Sequence, residues 1–379
     1  MTNCKFFLSL LFILLYIFAA SDLNAQAGAE DFKPSGKVWG YAFGDFFVKA
    51  GGDTATWASR AEYSGVAKDV YAFAIRRMYL GYDYNISPKF FTSALLEAND
   101  GLLSQKGDRT VTIKALYLRW KNIYQGADLL AGQMSTLAFS QVSEKVWNYR
   151  SVEKTITDQR GIRSSSDLGI AVHGVFDSIG NYGYNLMVGN GTSTRPEDLT
   201  PSGKHKLYSG EVYAYLLDRN IVLDLYGDYQ TSPNEKDVMT LKGFVAYQSD
   251  PITIGVEVLT QTQQNAKPDS TNTNPLGFSV FARSVLIKDR LSAFVRFDSF
   301  DPDRLYRDSD IISAYNPSNM HRHYEEQFFL AGLDFSPHKN VHVIPNIWIN
   351  SYKAKGESSL LPERKADIVP RMTLYFIFR

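Results

Sequence analysis

The chain has 379 residues, and its 40 basic side chains balance its 40 acidic ones. That balance gives no electrostatic reason to expect nucleic acid as a partner. Tyr, Phe and Gly are plentiful at 23, 24 and 27, a composition suited to strands and turns, and the single cysteine, Cys4, leaves no thiol for disulfides or metal ligation in the rest of the chain.

Lys5 precedes the apolar run "FFLSLLFILLYIFAA" (6–20), and "LNA" (23–25) supplies a small residue at a cleavage position. This pattern predicts a secretory signal over 1–25, a mature chain starting near Gln26 and a short N-terminal segment over 26–36. No long apolar run follows Ala20, so no transmembrane helix is expected.

From Lys37 onward about sixteen extended segments follow. They cover 37–49, 70–84, 89–99, 110–121, 127–134, 167–176, 182–190 and 207–218. The second half covers 221–231, 239–248, 252–262, 276–287, 290–300, 325–336, 340–353 and 366–378. Many alternate with period two. Ile221, Leu223, Leu225 and Tyr229 oppose Asp224, Tyr226, Asp228 and Gln230; Ile252, Ile254, Val256 and Val258 oppose Thr253, Glu257 and Gln261. Leu291, Ala293, Val295 and Phe297 oppose Arg290, Ser292, Arg296 and Asp298. Strands that are half polar do not build a sheet buried on both faces.

The connections alternate in length. Tight turns such as "NISPK" (85–89), "NIYQG" (122–126), "RN" (219–220) and "SDP" (249–251) separate longer polar stretches such as 50–69, 135–166, 191–206 and 301–324. Short turns at one end and long loops at the other predict an all-β fold: a transmembrane antiparallel β-barrel over 37–379, with short periplasmic turns and long external loops. The last strand then turns Met372, Leu374, Phe376 and Phe378 to lipid and closes on the first. Pro345 and Pro370 fall inside strands and call for bulges or nearer strand ends. The phase of "AFAIRRMYLGY" (72–82) changes at Arg76 and Arg77, which calls for another bulge.

Five pieces, "IRRMYLGYDY" (75–84), "KALYLRW" (114–120), "LLAGQMSTLAFSQ" (129–141), "SSDLGIAVHG" (165–174) and "YGYNLMVGNG" (182–191), together resemble the phosphate-selective porin O and P family of outer-membrane channels. The resemblance implies sixteen strands, a homotrimer in the bacterial outer membrane, and insertion by the outer-membrane assembly machinery. It also implies that the loop after the fifth strand, 135–166, folds into the barrel and narrows it. On that reading Glu144, Lys145, Arg150, Glu153, Lys154, Asp158, Arg160 and Arg163 are constriction candidates, with Arg119, His173, Arg283 and Arg296 on the facing walls. Val146, Tyr149 and Val152 recur at helical spacing and suggest a short helix in the loop.

The function expected is passive diffusion of small hydrophilic solutes or ions, including anions such as phosphate. The inferred lumen mixes Asp224, Asp228, Glu257 and Asp298 with Lys242, Arg283, Arg290 and Arg296, which implies weak selectivity. The sequence carries no Gly-x-Ser-x-Gly, no His-Glu-x-x-His and no phosphate-cradling glycine loop, so no cofactor or catalytic metal is expected. The acidic stretch 301–311 and the His321 and His323 pair lack calcium-loop spacing and read as a solvated loop. Two other readings are a barrel enzyme, drawing on His173, Ser209 and Asp224, and a secreted all-β binding protein.

Overall fold

The computed structural model describes residues 32–54, 62–103, 107–196, 201–312, 322–356 and 361–379. The signal over 1–25 lies outside the described residues, and so do 26–31 and His321.

Sixteen antiparallel strands close into one barrel, each paired with its sequence neighbours and β1 paired with β16. The first eight are β1 Ser35–Val48, β2 Tyr71–Asn85, β3 Phe90–Leu103, β4 Arg109–Tyr124, β5 Ala127–Ser135, β6 Ser166–Val175, β7 Tyr182–Gly189 and β8 Leu207–Leu216. The second eight are β9 Ile221–Gln230, β10 Val238–Gln248, β11 Ile252–Gln263, β12 Leu276–Ile287, β13 Leu291–Asp301, β14 Tyr324–His338, β15 Val341–Ala354 and β16 Asp367–Phe378. β1 thus takes in the last two residues of the expected 26–36 segment. No helix among the described residues is long and apolar enough to cross a membrane.

The outer face is an apolar belt. Leu223 and Leu225 on β9, Ile252 and Ile254 on β11, and Val295 and Phe297 on β13 are exposed. Between them Asp224, Asp228, Glu257, Arg296 and Asp298 point inward and are buried. This inversion of the usual soluble pattern suits a barrel with hydrocarbon outside and polar groups within. Its backbone has no free sheet edge, which lipid would penalise heavily.

At the closing seam Met372, Leu374, Phe376 and Phe378 are exposed, while Arg371 and Thr373 are buried. The Phe378 ring lies over Gly40 of β1, where a Cβ would stand 2.3 Å from it. Only glycine leaves room for that ring on the neighbouring strand.

Each of the two prolines pairs with one neighbouring strand and is skipped by the other. Pro345 pairs with Met372 in unbroken register, and no bulge forms there. Pro370 also lies inside its strand, paired with Ile347 of β15 in unbroken register, so neither a bulge nor a nearer strand end forms; only the β1 ladder stops short of it, at Phe47 and Arg371. The expected bulge in β2 is present. Phe43 pairs with Arg77 and Gly44 with Ile75, leaving Arg76 as the extra residue.

Candidate functional site

Two bulges aim bases into the lumen. A bulge turns two successive side chains to the same face, so Arg76 and Arg77 both point inward. β4 repeats the device: Leu95 pairs with Ala115 and Leu96 with Ile113, which makes Lys114 the extra residue. Between them on β3 stands Glu97, 3.2 Å from Arg77 Nε and 3.0 Å from Lys114 Nζ. Three neighbouring strands therefore hold one carboxylate between two cations.

The loop 136–165 runs inside the barrel. Its first turn packs Leu137, Ala138 and Phe139 against Leu130, Met134, Ala171 and Met187 on β5 to β7. Helix α1 (Ser143–Trp147) follows and ends at Asn148, whose φ of 56° is left-handed. Helix α2 (Ile156–Gln159) comes later. The expected helix stops short, so Tyr149 and Val152 lie outside it, although both are buried. Trp147 stands on Phe281 at 5.0 Å and Tyr149 on Phe294 at 4.3 Å between ring centroids.

Polar anchors tie the loop to the wall from β9 round to β2. Arg163 Nε donates to Asp228 at 2.7 Å, and Lys242 Nζ to Ser143 Oγ at 3.5 Å. Gln261 Nε2 donates to the Ile162 carbonyl at 3.1 Å, and Arg283 Nε to the Val146 carbonyl at 3.1 Å. Arg296 donates to the Lys154 carbonyl, Arg160 to Glu326, and Trp348 Nε1 to Glu153 Oε2 at 3.0 Å. These partners sit on seven strands, so the loop spans the lumen.

The firmest grip is at the seam. Arg76 Nη1 donates to the carbonyls of Ser151 and Val152 at 2.9 and 2.7 Å, and Arg371 Nη2 reaches Val152 at 3.2 Å. Both guanidiniums flank Asp45, at 3.4 and 3.6 Å. A second inward loop completes this hub: Tyr63 Oη donates to Asp45 and packs on Trp348 at 5.7 Å, while Arg76 Nε donates to Glu62 at 3.0 Å. Arg76 pulls the Glu62 carboxyl well below its usual range, against the opposing effect of burial.

The loop's other face stays wetter. Arg150 bridges Glu144 and Asp158, and the three side chains keep 16%, 20% and 12% exposure, whereas Asp224, Arg296 and Trp348 under the anchored face keep at most 1%. Burial raises the Glu144 carboxyl above its ordinary value, with Arg150 opposing and Asp158 adding to the rise. Asp158 goes the other way, because Arg150 and Lys154 outweigh its burial. Lys114, on the β4 wall, acts electrostatically on both carboxyls. This face therefore looks toward the Arg77, Glu97 and Lys114 ladder.

The sequence-predicted residues fall into three groups. Glu144, Arg150, Lys154 and Asp158 lie on the wetter face. Arg119, Lys145 and His173 line a cavity of about 490 Å³ at the short-turn end, where Arg119 pairs with Asp128 and His173 Nε2 finds no hydrogen-bond partner among the described residues. Glu153 and Arg160 on the loop's anchored face and Arg296 on the facing wall are buried; Arg163 and Arg283 join them as anchors. His173, Ser209 and Asp224 stand on β6, β8 and β9, and no hydrogen bond joins them among the described residues. No group of three or more metal-ligating side chains gathers among the described residues.

Sequence reasoning missed Asp45, Arg76, Arg77, Glu97, Lys114 and Arg371 as members of the site. For Lys114 a signal was available: apolar Val111 and Ile113 give way to Leu116 and Leu118, the same phase switch as at Arg76.

A closed sixteen-stranded barrel with an apolar belt, a polar interior and an inward loop after the fifth strand defines the architecture of outer-membrane porins. Solved structures agree on that fold. The outer membrane channel DcaP of Acinetobacter baumannii superimposes with a TM-score of 0.65 at 10% identity, covering 92% of this chain and 99% of its own. An anion-selective porin from Comamonas acidovorans gives 0.60 at 9% identity, covering 91% and 100%. The trimer form of OmpT, an outer membrane protein of Vibrio cholerae, gives 0.55 at 10% identity, covering 92% and 100%. No family model matches the sequence, and no curated protein sequence matches it.

Proposed function

We propose that the protein is a passive diffusion channel of the bacterial outer membrane for small hydrophilic solutes and ions, constricted by the loop 135–166. The observation that carries this reading is the two-faced loop. One face is bonded to the barrel wall from β9 round to β2, and the other keeps its charges partly wet opposite β2 to β4. Charged rims on a narrow aqueous path set ion preference.

The rim presents Arg77, Lys114, Arg150 and Lys154 against Glu97, Glu144 and Asp158. Lys154 forms no ion pair among the described residues. This excess of bases favours small anions, phosphate among them, by a modest margin, and it extends the phosphate-selective porin O and P resemblance of the sequence. The trimeric form of a structural relative and the apolar belt support a homotrimer embedded in outer-membrane lipid. Its insertion would use the outer-membrane assembly machinery after cleavage of the signal near Gln26.

Planar-bilayer recordings under a salt gradient test the proposal. The wild-type channel gives ohmic conductance with a reversal potential on the anion side. Lys154→Glu moves that potential toward cations. A purified, folded barrel that conducts no ions would end the channel reading.

A further inference from the structure

A second cavity opens at the long-loop end, beside β11 to β14 and away from the charged rim. Its floor is apolar: Ile162 of the constriction loop, Phe300 of β13, and Pro268, Pro275 and Pro302 from the external loops. Its charges cancel internally. Arg160 bonds Glu326, and Lys267 stands 2.7 Å from both Asp303 and Asp310, so with Arg322 three bases meet three acids. An ion entering this cavity would lose water and meet no uncompensated charge, an unfavourable exchange.

The remaining polar groups are planar and rich in donors. Gln263 Nε2 donates to Gln261 Oε1 at 2.6 Å and carries a second N–H. Arg160 Nε is buried and finds no hydrogen-bond partner among the described residues. Both bonds that Glu326 accepts from Arg160 and Asn350 use Oε2, so Oε1 of this cavity-lining residue is left as an acceptor. A buried donor without a partner costs about 1–3 kcal/mol, so it favours a solute that supplies an acceptor. An apolar floor under donors and acceptors fits a ring with C–H groups on one face and hydroxyls around its edge.

We propose that this cavity docks a neutral mono- or disaccharide at the external mouth, with the sugar's apolar face on Phe300 and its hydroxyls on Arg160, Gln263 and Glu326. The inference rests on the channel reading, because Arg160, Gly161 and Ile162 of the proposed constriction loop line this cavity.

Isothermal titration of the detergent-solubilised barrel with glucose, maltose and inorganic phosphate tests it. Saturable sugar binding is expected, weakened at least tenfold in both Phe300→Ala and Gln263→Ala; the second variant removes a polar tip and leaves the apolar packing in place. Wild-type protein without saturable sugar binding overturns the proposal. So does phosphate binding in place of sugar, or sugar binding indifferent to both substitutions. Liposome swelling separates the two readings. Swelling in sugars without saturable binding removes the docking site and leaves the channel; no swelling in any solute removes the channel itself.

Discussion

Arg76 is the residue whose loss should loosen the constriction most. It donates to the Ser151 and Val152 carbonyls at 2.9 and 2.7 Å and to Glu62 at 3.0 Å, and it stands 3.4 Å from Asp45; all of these but the partly exposed Glu62 are buried. Hydrogen bonds to a charged group contribute about 1.5–3 kcal/mol each. Removing one member of a buried ionic network costs about 3–5 kcal/mol, since its partners are left uncompensated. Arg76→Ala should therefore weaken the grip on the 151–152 turn by about 3–5 kcal/mol. At about 1.4 kcal/mol per tenfold, local detachment becomes roughly a thousandfold more frequent. The loop is not released altogether, because Arg371 still reaches Val152 and Trp348 still holds Glu153. The expected result is a barrel that assembles normally, judged by its heat-modifiable mobility on gels, yet shows larger and noisier single-channel currents. Arg76→Lys keeps the charge but not the forked geometry and should fall between the two. An assembled Arg76→Ala channel with wild-type conductance and noise would refute this account of the hub.

Two further outcomes follow from the same geometry. Burial raises the Glu144 carboxyl, so on acidification it loses its charge at higher pH than an exposed glutamate, while Asp158, held low by Arg150 and Lys154, keeps its charge. Anion preference should then rise as pH falls toward and through the ordinary carboxylate range. Glu144→Gln should show that preference already at neutral pH and lose the higher-pH part of the rise, as reversal potentials would reveal. Gly40→Val sets a side chain where the Phe378 ring lies, with 2.3 Å available; the yield of folded barrel should drop sharply, and an unchanged yield would show that the seam tolerates a shifted ring.

The barrel was legible in the sequence because its two signals are local. Alternation such as Ile252 to Val258 needs only the pleat of one strand, and the turn and loop lengths need only counting. The Arg76 bulge was legible for the same reason, as a phase switch within a few residues. The path of the loop was not. Val146 and Val152 look alike in a helical wheel, and nothing local says that Val146 meets β12 and Val152 the seam. The Asp45 hub joins residues from β1, β2, β16 and two loops, a meeting decided by barrel closure. Pro345 misled for a related reason: a proline withholds one donor, and here the register with β16 continues past that loss.

The anchors that run from Asp228 on β9 round to Arg76 on β2 make the inner loop resemble the spokes of a wheel. In a hollow tube, bore and rigidity are set by different parts. In the proposed channel the segment that sets the bore also braces opposing walls, so the opening does not widen without a loss of stiffness. Changes in permeability should therefore arise first among the wetter charges of Glu144 and Lys154.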